Sequence, residues 1–342
     1  MNTYKLALIG FGNVGQGLTQ IIRDLDFSEY GAKFQIVAVC DLLKGGVYHP
    51  DGLDPAALLE AIALKGSLSS IDAPYRNWDA IRTITDANAD VVVEMSYTDL
   101  QTGEPAYTHI RTALRHGKHA IMTNKGPVAL HYAELKTLAN QQGVELGVEG
   151  TVMSGTPSLR LGTELLAAAR ITKIQGIVNG TTNYILTRME QGDTYESALA
   201  EAQAKGYAEA DPTGDVEGHD AVGKVVILAN LLMGASLRIN DVDRTGITGL
   251  TVQDIETARA AGERWKLIGT VEKTSAGVRA SVQPTRIPIS HPLAGVGGAT
   301  NAITYTTQLL GEVTLVGPGA GRIETGYALI GDLLAIHRKK QK

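Results

Sequence analysis

The chain is 342 residues long, 44% hydrophobic and 20% charged, with a net charge of −5, which fits a globular protein of about two domains. That balance offers no basic footprint for nucleic acid and no attraction to an anionic membrane surface, so neither partner is expected. One cysteine, Cys40, rules out an intrachain disulfide; with no signal peptide ahead of Lys5 and no apolar run of membrane-spanning length, a cytoplasmic protein is predicted.

Residues 4–9, Tyr-Lys-Leu-Ala-Leu-Ile, predict a short apolar strand running directly into Gly10-Phe11-Gly12-Asn13-Val14-Gly15. A helix predicted over 14–25 completes the strand, G-x-G-x-x-G and helix context in which that motif binds a dinucleotide. Gly10 permits the tight turn, Gly12 lets a pyrophosphate approach the backbone, and Gly15 lets helix and strand pack closely. The helix N-terminus then faces the phosphates. A second strand over 34–39 leads to Asp41, either a grip for a ribose 2′-hydroxyl or an ordinary strand-end turn residue. Its interval from the glycines exceeds the usual spacing of about twenty, and the excess, residues 26–33, reads as a loop insertion. Lys44 and Gly45-Gly46 offer a place for a 2′-phosphate instead, so NAD and NADP both stay open.

Asp54-Pro55 is an N-cap and N1 pair opening a helix to Leu64. A strand over 90–95 carries Ser96 at its carboxyl end, a helix covers 105–116, and a strand over 119–123 is ended by Asn124-Lys125-Gly126-Pro127. This alternation predicts an α/β domain with a parallel sheet and ligands at the carboxyl ends of strands, where Ser96 and Lys125 stand. The alternative for Lys125 is plain solvation.

Residues 144–149 lead into the small-residue loop Gly150-Thr151-Val152-Met153-Ser154-Gly155-Thr156-Pro157. Its bare carbonyls suit a hard monovalent cation, but from the residues alone a tight turn is favoured. After a strand over 173–178, Asn179-Gly180-Thr181-Thr182-Asn183 forms a polar turn with N-cap character for a helix over 184–189. Its N–H groups are suited to a carboxylate. A helix over 196–204 delivers the chain to Tyr207, and four carboxylates (Glu209, Asp211, Asp215, Glu217) precede an apolar helix over 221–232. Asp215 reads as its N-cap, and Asp220 and Lys224 stand four apart on one face. Such a stretch can hold a cationic amine beside a proton-transferring lysine; the plainer reading is a solvated loop and one surface ion pair. The apolar flanks of Lys224 argue for the former.

Beyond 232 the chain is less informative. Strands are predicted over 278–286 and 313–316, with a β-rich run within 295–307. Gly317-Pro318-Gly319-Ala320-Gly321 then opens a helix to the C-terminus, ended by the favourable cations His337 to Lys340. This helix is expected to return to the first domain, giving residues 1–143 with 317–342, and 144–316.

Five stretches in this order resemble homoserine dehydrogenases: Gly10 to Gly15, Asn124 to Pro127, Gly176 to Leu186, Glu209 to Lys224 and Gly317 to Gly321. The resemblance covers nearly the whole chain. It implies a Rossmann dinucleotide-binding domain plus an α+β substrate-binding and dimerisation domain, assembled as a homodimer. It also implies reversible reduction of the amino acid L-aspartate 4-semialdehyde to L-homoserine by NAD(P)H, on the path to threonine, isoleucine and methionine. Lys224 would protonate the carbonyl oxygen, with Lys125 a second candidate beside nicotinamide and substrate. Glu209, Asp215 and Asp220 would orient the substrate, with Tyr207, Gly180 and Thr181 nearby. Gly12, Asn13, Val14, Ser96 and Gly321 match cofactor contacts. Glu149, Val152, Ser154 and Thr156 match a sodium or potassium site, which reverses the preference for a plain turn. The chain ends at the returning helix, so a short form without an amino-acid-sensing domain is expected. Aspartate-semialdehyde dehydrogenase needs a second-domain cysteine that this chain lacks. A catalytically silent dinucleotide sensor is the remaining alternative, against which both lysines and all three acids argue.

Overall fold

The computed structural model describes residues 1–341; Lys342, the last residue of the expected returning segment, lies outside them. The chain divides into Met1–Gly155 with the segment from Gly321 onward, and Thr156–Ala320. Residues 144–155 therefore join the first unit, because a short strand at 146–147 pairs with its sheet and the Glu149 N–H donates to Asp332 Oδ2 at 3.1 Å.

In the first unit, β1 (Asn2–Ile9), β2 (Ala32–Asp41), β3 (Gly45–Tyr48), β4 (Tyr75–Arg76), β5 (Val91–Glu94), β6 (His119–Met122) and β7 (Leu146–Gly147) form one sheet in the order β4-β3-β2-β1-β5-β6-β7. The strands from β2 to β7 by way of β1 pair in parallel, and β3 and β4 add an antiparallel edge. Leu6, Ala7 and Leu8 are all fully buried, as expected of a parallel strand covered on both faces. The helices are α1 (Asn13–Asp24), α2 (Pro55–Lys65), α3 (Ala80–Asp86), α4 (Ala106–Arg115) and α5 (Lys125–Gln142). Asp54 caps α2 as expected, its Oδ1 accepting from the Ala56 N–H at 2.9 Å. Residues 26–33 hold a single 3₁₀ turn, Ser28–Tyr30, before β2 begins.

Helix α5 was not legible as a helix. Asn124-Lys125-Gly126-Pro127 does end β6, but it also opens 18 residues of helix, with Asn124 as N-cap and Gly143 in the left-handed conformation after the last turn. Pro127 sits within the first turn, where the missing N–H has no intrahelical partner to lose.

The second unit contains α6 (Ser158–Arg160), β8 (Ile171–Ile177), α7 (Gly180–Glu190), α8 (Tyr195–Ala204), α9 (Thr213–Val216), α10 (His219–Met233), β9 (Asp243–Arg244), α11 (Val252–Ala260), β10 (Glu263–Thr274), β11 (Gly277–Pro288), β12 (Thr300–Thr307) and β13 (Gly311–Pro318). Its six strands run β13-β12-β8-β10-β11-β9, antiparallel except for β9 against β11. Strand β10 pairs with both β8 and β11, although its sequence carries no continuous apolar signal. Asp215 is not the cap of α10: it lies within α9, and Gly218, at φ 79°, occupies the capping position. A left-handed residue there favours glycine.

The chain returns to the first unit as α12 (Arg322–Lys340). Leu329, Ile330, Leu333 and Ile336 join the core built by β1, α1 and β2. A Cβ placed at Gly326 would lie 2.7 Å from the Leu18 N, and one at Gly17 would overlap the Arg322 main chain, so α1 and α12 approach backbone to backbone. The fold is thus a Rossmann-like α/β unit completed by the C-terminal helix, plus a second α+β unit. Among the described residues no helix is long and apolar enough to cross a membrane.

Candidate active site

The glycine loop divides its labour as the motif requires. Gly10 has φ 95°, and a Cβ there would lie 2.6 Å from the Met95 carbonyl oxygen; a Cβ at Gly15 would lie 2.7 Å from that of Gly10. Gly12 differs, since a Cβ there would meet nothing within 4 Å. This is open space beside the start of α1, where Asn13 and Val14 begin a helix with no side-chain cap. Such a terminus offers unpaired N–H groups to a phosphate. Gly321, at φ 140°, stands immediately before α12.

Asp41 ends β2 and is tied to this loop. Its Oδ2 accepts from the Phe11 N–H at 2.7 Å, and its Oδ1 from the Leu43 and Lys44 N–H groups at 3.0 Å each. Burial pushes its carboxyl up, but these three donors and the Lys44 ammonium outweigh burial and hold it below the ordinary carboxylate value. Lys44 is not a free arm, since its Nζ lies 3.6 Å from Asp41 Oδ1. A carboxylate has about four acceptor positions, so Asp41 can brace the loop and still accept from a ribose hydroxyl. Cys40 beside it is buried and its thiol is pushed up to about 11 by that burial, which makes it a poor nucleophile.

Ser96 and Lys125 stand at the carboxyl ends of neighbouring strands, joined by Asn124. The Asn124 Nδ2 donates to the carbonyls of Ser96 at 3.2 Å and Tyr97 at 2.7 Å, while its Oδ1 accepts from Gly126 N–H at 3.1 Å. The Ser96 hydroxyl is turned to the buried Glu94, whose other oxygen lies 2.7 Å from His109 Nδ1. Lys125 is the first residue of α5 and half-buried.

In the second unit Lys224 is 9% exposed. Its Nζ donates to the Val178 carbonyl and to Asp220 Oδ2, each at 2.7 Å. Asn179, the N-cap of α7, gathers the acids: its Nδ2 donates to Asp215 Oδ1 at 2.7 Å and to Asp220 Oδ2 at 3.1 Å, while its Oδ1 accepts from Thr182 N–H at 2.9 Å. Burial raises the Asp215 carboxyl, Asp220 adds to the rise, and the Asn179 hydrogen bond, the neighbouring Thr181 hydroxyl and the Lys224 charge offset only part of it. Gly180 and Thr181 open α7, and the Thr181 hydroxyl donates to the Tyr207 carbonyl at 2.6 Å. Tyr207 is 46% exposed, and its ring meets the Tyr184 ring edge-on at 5.0 Å. Glu209 is exposed, its main-chain carbonyl accepting from Gln203. The structure therefore brings together Lys224, Asp220 and Asp215 by way of Asn179, a residue the sequence marked only as a cap, with Thr181 beside Asp215.

Glu149 is 5% exposed, and Val152 and Ser154 are buried beside it in a turn with both Met153 and Ser154 left-handed. Ser154 Oγ pairs with Thr325 Oγ1 at 2.7 Å, and Asp332, missed from the sequence, meets the Glu149 main chain. This oxygen-rich, buried surrounding is of the kind a hard cation takes. In the second unit, Thr156 donates through Oγ1 to the Pro318 carbonyl at 3.0 Å. Among the described residues no three His, Cys, Asp or Glu side chains are grouped to hold a metal. A cavity of about 400 Å³ in the second unit, lined in part by Leu166, Arg170, Leu232, Lys273 and Gln308, includes none of the expected site residues.

Two family models match the chain: homoserine dehydrogenase over residues 157–334, and the homoserine dehydrogenase NAD binding domain over residues 10–149. An NAD(+)-dependent homoserine dehydrogenase of Pseudomonas canavaninivorans is 48% identical, covering 99% of this chain and 97% of that protein. A crystal structure of a homoserine dehydrogenase from Thiobacillus denitrificans superposes with a TM-score of 0.85 at 32% identity, covering 100% of this chain and 74% of that one. A hyperthermophilic archaeal homoserine dehydrogenase in complex with NADPH gives a TM-score of 0.83 at 28% identity, covering 99% and 98%.

Proposed function

The chain belongs to the homoserine dehydrogenase family, and from that membership we propose which of its own atoms carry the reaction and which dinucleotide it takes. The reaction is the NAD(P)-dependent interconversion of L-homoserine and L-aspartate 4-semialdehyde, and the protein is an enzyme, not a silent sensor. A dinucleotide held at the glycine loop would supply the hydride to the aldehyde carbon, or take it in reverse.

Lys224 is the general acid in reduction. The observation that carries this is its placement: two of the three ammonium N–H bonds go to Val178 O and Asp220 Oδ2, which leaves one for the carbonyl oxygen. As the aldehyde carbon gains hydride, its oxygen takes the proton from Lys224 Nζ, and in oxidation the neutral amine takes it back. Asp220 stabilises the charged lysine. Asp215 and Asp220 receive the substrate ammonium, with Glu209 as a further acid, Tyr207 alongside, and Gly180 and Thr181 for the carboxylate at the start of α7. Lys125 would stand beside the nicotinamide and substrate.

Asp41 supports use of NAD through a ribose hydroxyl, and Lys44 supports acceptance of a 2′-phosphate. The relative named NAD(+)-dependent and the structural neighbour bound to NADPH are consistent with an enzyme that takes both, with Gly10, Gly12, Asn13, Val14, Gly15, Ser96 and Gly321 in contact. Glu149, Val152, Ser154 and Thr156 would hold sodium or potassium through oxygen atoms, fixing the loop they belong to. Exposed Leu165, Leu309 and Leu310 in the second unit support a homodimer formed there. Threonine, isoleucine and methionine biosynthesis in the cytoplasm is the setting this activity fits.

The test is oxidation of L-homoserine followed by NAD(P)H absorbance, with 4-hydroxybutyrate as the analogue lacking the ammonium. Turnover of homoserine with both dinucleotides and a loss of about 10²-fold or more on the analogue are expected, because unpaired buried charges discriminate strongly. Equal efficiency on both alcohols would remove Asp215 and Asp220 from substrate recognition.

A further inference from the structure

Asn301 is the second residue of β12 and is fully buried, at 0% exposure. Neither its Oδ1 nor its Nδ2 has a hydrogen-bond partner. An amide offers two donors and an acceptor oxygen with two lone pairs, and native proteins rarely bury one with every position unfilled. The contrast with Asn183 is direct: the two N–H bonds of that amide are shared among the carbonyls of Val296, Gly298 and Thr300, and its oxygen accepts from the buried Lys266. The turn just before Asn301 is thus tied down by a side-chain amide, while the Asn301 amide itself has no partner.

Its surroundings give the empty amide a meaning. In the pairing of β12 with β8, Ala302 faces Ile177. One further step along that register sets Asn301 beside Val178, whose carbonyl holds Lys224. Two glycines adjoin its side chain. A Cβ at Gly180, the first residue of α7, would lie 3.5 Å from Asn301 Oδ1. A Cβ at Gly319 would overlap the amide itself. Helix-opening peptides such as that of Gly180 carry N–H groups without an intrahelical partner, and Gly319 belongs to the glycine turn that precedes Gly321. The amide therefore lies against main chain from the substrate-binding turn and from the turn leading to the cofactor-contacting glycine.

We propose that Asn301 is a positioning residue for homoserine oxidation, whose amide pairs with the main chain of Gly180 and of the turn around Gly319 when substrate and dinucleotide are both bound. An apolar side chain of similar size fills the same volume without an unpaired amide, so the free protein alone gives no reason for asparagine here. This inference rests on the reaction and the substrate turn assigned above.

The experiment compares wild type with Asn301→Leu and Asn301→Ser. Melting temperature is measured free, with NAD, and with NAD plus homoserine; NAD affinity comes from fluorescence, and kcat and KM from the homoserine assay. For Asn301→Leu the expected result is a free-protein Tm equal to or above wild type and NAD affinity within twofold. The additional Tm rise on adding homoserine should shrink, and kcat/KM should fall at least tenfold. Asn301→Ser, which keeps one polar group, should retain more kcat/KM than the leucine variant. Unchanged kcat/KM in Asn301→Leu overturns the proposal. So does a fall in free-protein Tm, or the failure of both variants to fold, because the amide would then already have a partner in the unliganded protein. A wild type that does not oxidise homoserine overturns the assigned reaction and this proposal together, whereas an active wild type with an equally active leucine variant overturns this proposal alone.

Discussion

Lys224 Nζ donates to the main-chain carbonyl of Val178 at 2.7 Å. A neutral acceptor at the end of β8 thus fixes the direction of a buried ammonium without cancelling its charge. Replacing the ammonium by a methyl-thioether in Lys224→Met should leave the helix in place and lower kcat by about 10²–10⁴, the usual contribution of a positioned general acid. NAD and NADP affinity, read by fluorescence titration, should be unchanged because their loop is in the other unit. Turnover within threefold of wild type would take Lys224 out of the proton transfer.

Asp215 predicts a pH limb. Its folded carboxyl is raised, first by burial and then by Asp220, so the folded protein holds this proton more tightly than the unfolded chain. The associated stability is fully present below the unfolded value of about 3.9 and is lost as pH rises through the higher folded value. Substrate ammonium needs the ionised form. The homoserine KM should therefore rise as pH falls through the raised value of this carboxyl. Asp215→Asn should raise KM about 10–100-fold, the range for a hydrogen bond to a charged group, and flatten that limb. A KM–pH profile of unchanged shape in the variant would assign the limb elsewhere.

The glycine loop predicts two alanine substitutions with opposite signatures. Gly10→Ala meets both a left-handed backbone and the Met95 carbonyl, so it should destabilise the first unit by at least about 1–3 kcal/mol. Gly12→Ala projects into open space and should leave Tm within about a degree, given surface-like effects below about 0.5 kcal/mol. It should still weaken dinucleotide binding by about tenfold or more, since its methyl occupies the pyrophosphate approach. Normal NAD affinity in Gly12→Ala would place the phosphates elsewhere.

Asp41→Ala should act twice. It frees the Phe11, Leu43 and Lys44 N–H groups, weakening both dinucleotides through the loop, and it removes the carboxylate that repels a 2′-phosphate. The ratio of catalytic efficiency with NADP to that with NAD should rise by about 5–30-fold, equivalent to roughly 1–2 kcal/mol at a partly exposed charged contact. Lys44→Ala should move the ratio the other way. An unchanged ratio in Asp41→Ala would leave that residue as a brace for the loop and nothing more.

What the sequence made legible was local. Gly10 to Gly15 between strand and helix, the Asp54-Pro55 cap, and Asp220 with Lys224 one turn apart are all fixed by spacings within a few residues. The hold of Asn179 on Asp215 and Asp220 spans 36 and 41 residues, and that of Asp332 on Glu149 spans 183; no local pattern carries such pairs. Asp215 reads as a cap in the sequence because an acid before an apolar helix has the right composition, yet the backbone entering α10 needs the positive φ that Gly218 supplies. Helix α5 was hidden by Pro127, which breaks a helix interior but not its first turn. Strand β10 was hidden by Lys266, a lysine near its start whose Nζ the tertiary partners Asn183 and Val296 satisfy.

The close approach of Gly17 to Arg322 has a consequence for the order in which this protein is made. The core beneath β1 is finished by Leu329, Ile330 and Leu333, and Tyr4 near one end of the chain meets His337 near the other through a 3.2 Å hydrogen bond. During synthesis, residues 1–155 leave the ribosome with one flank of their core uncovered, and they stay so while the whole of 156–320 is translated. The second unit, continuous in sequence, can fold in that interval. The core of the dinucleotide-binding half is therefore completed only once α12 has been made and docks on α1, after the residues of the second unit.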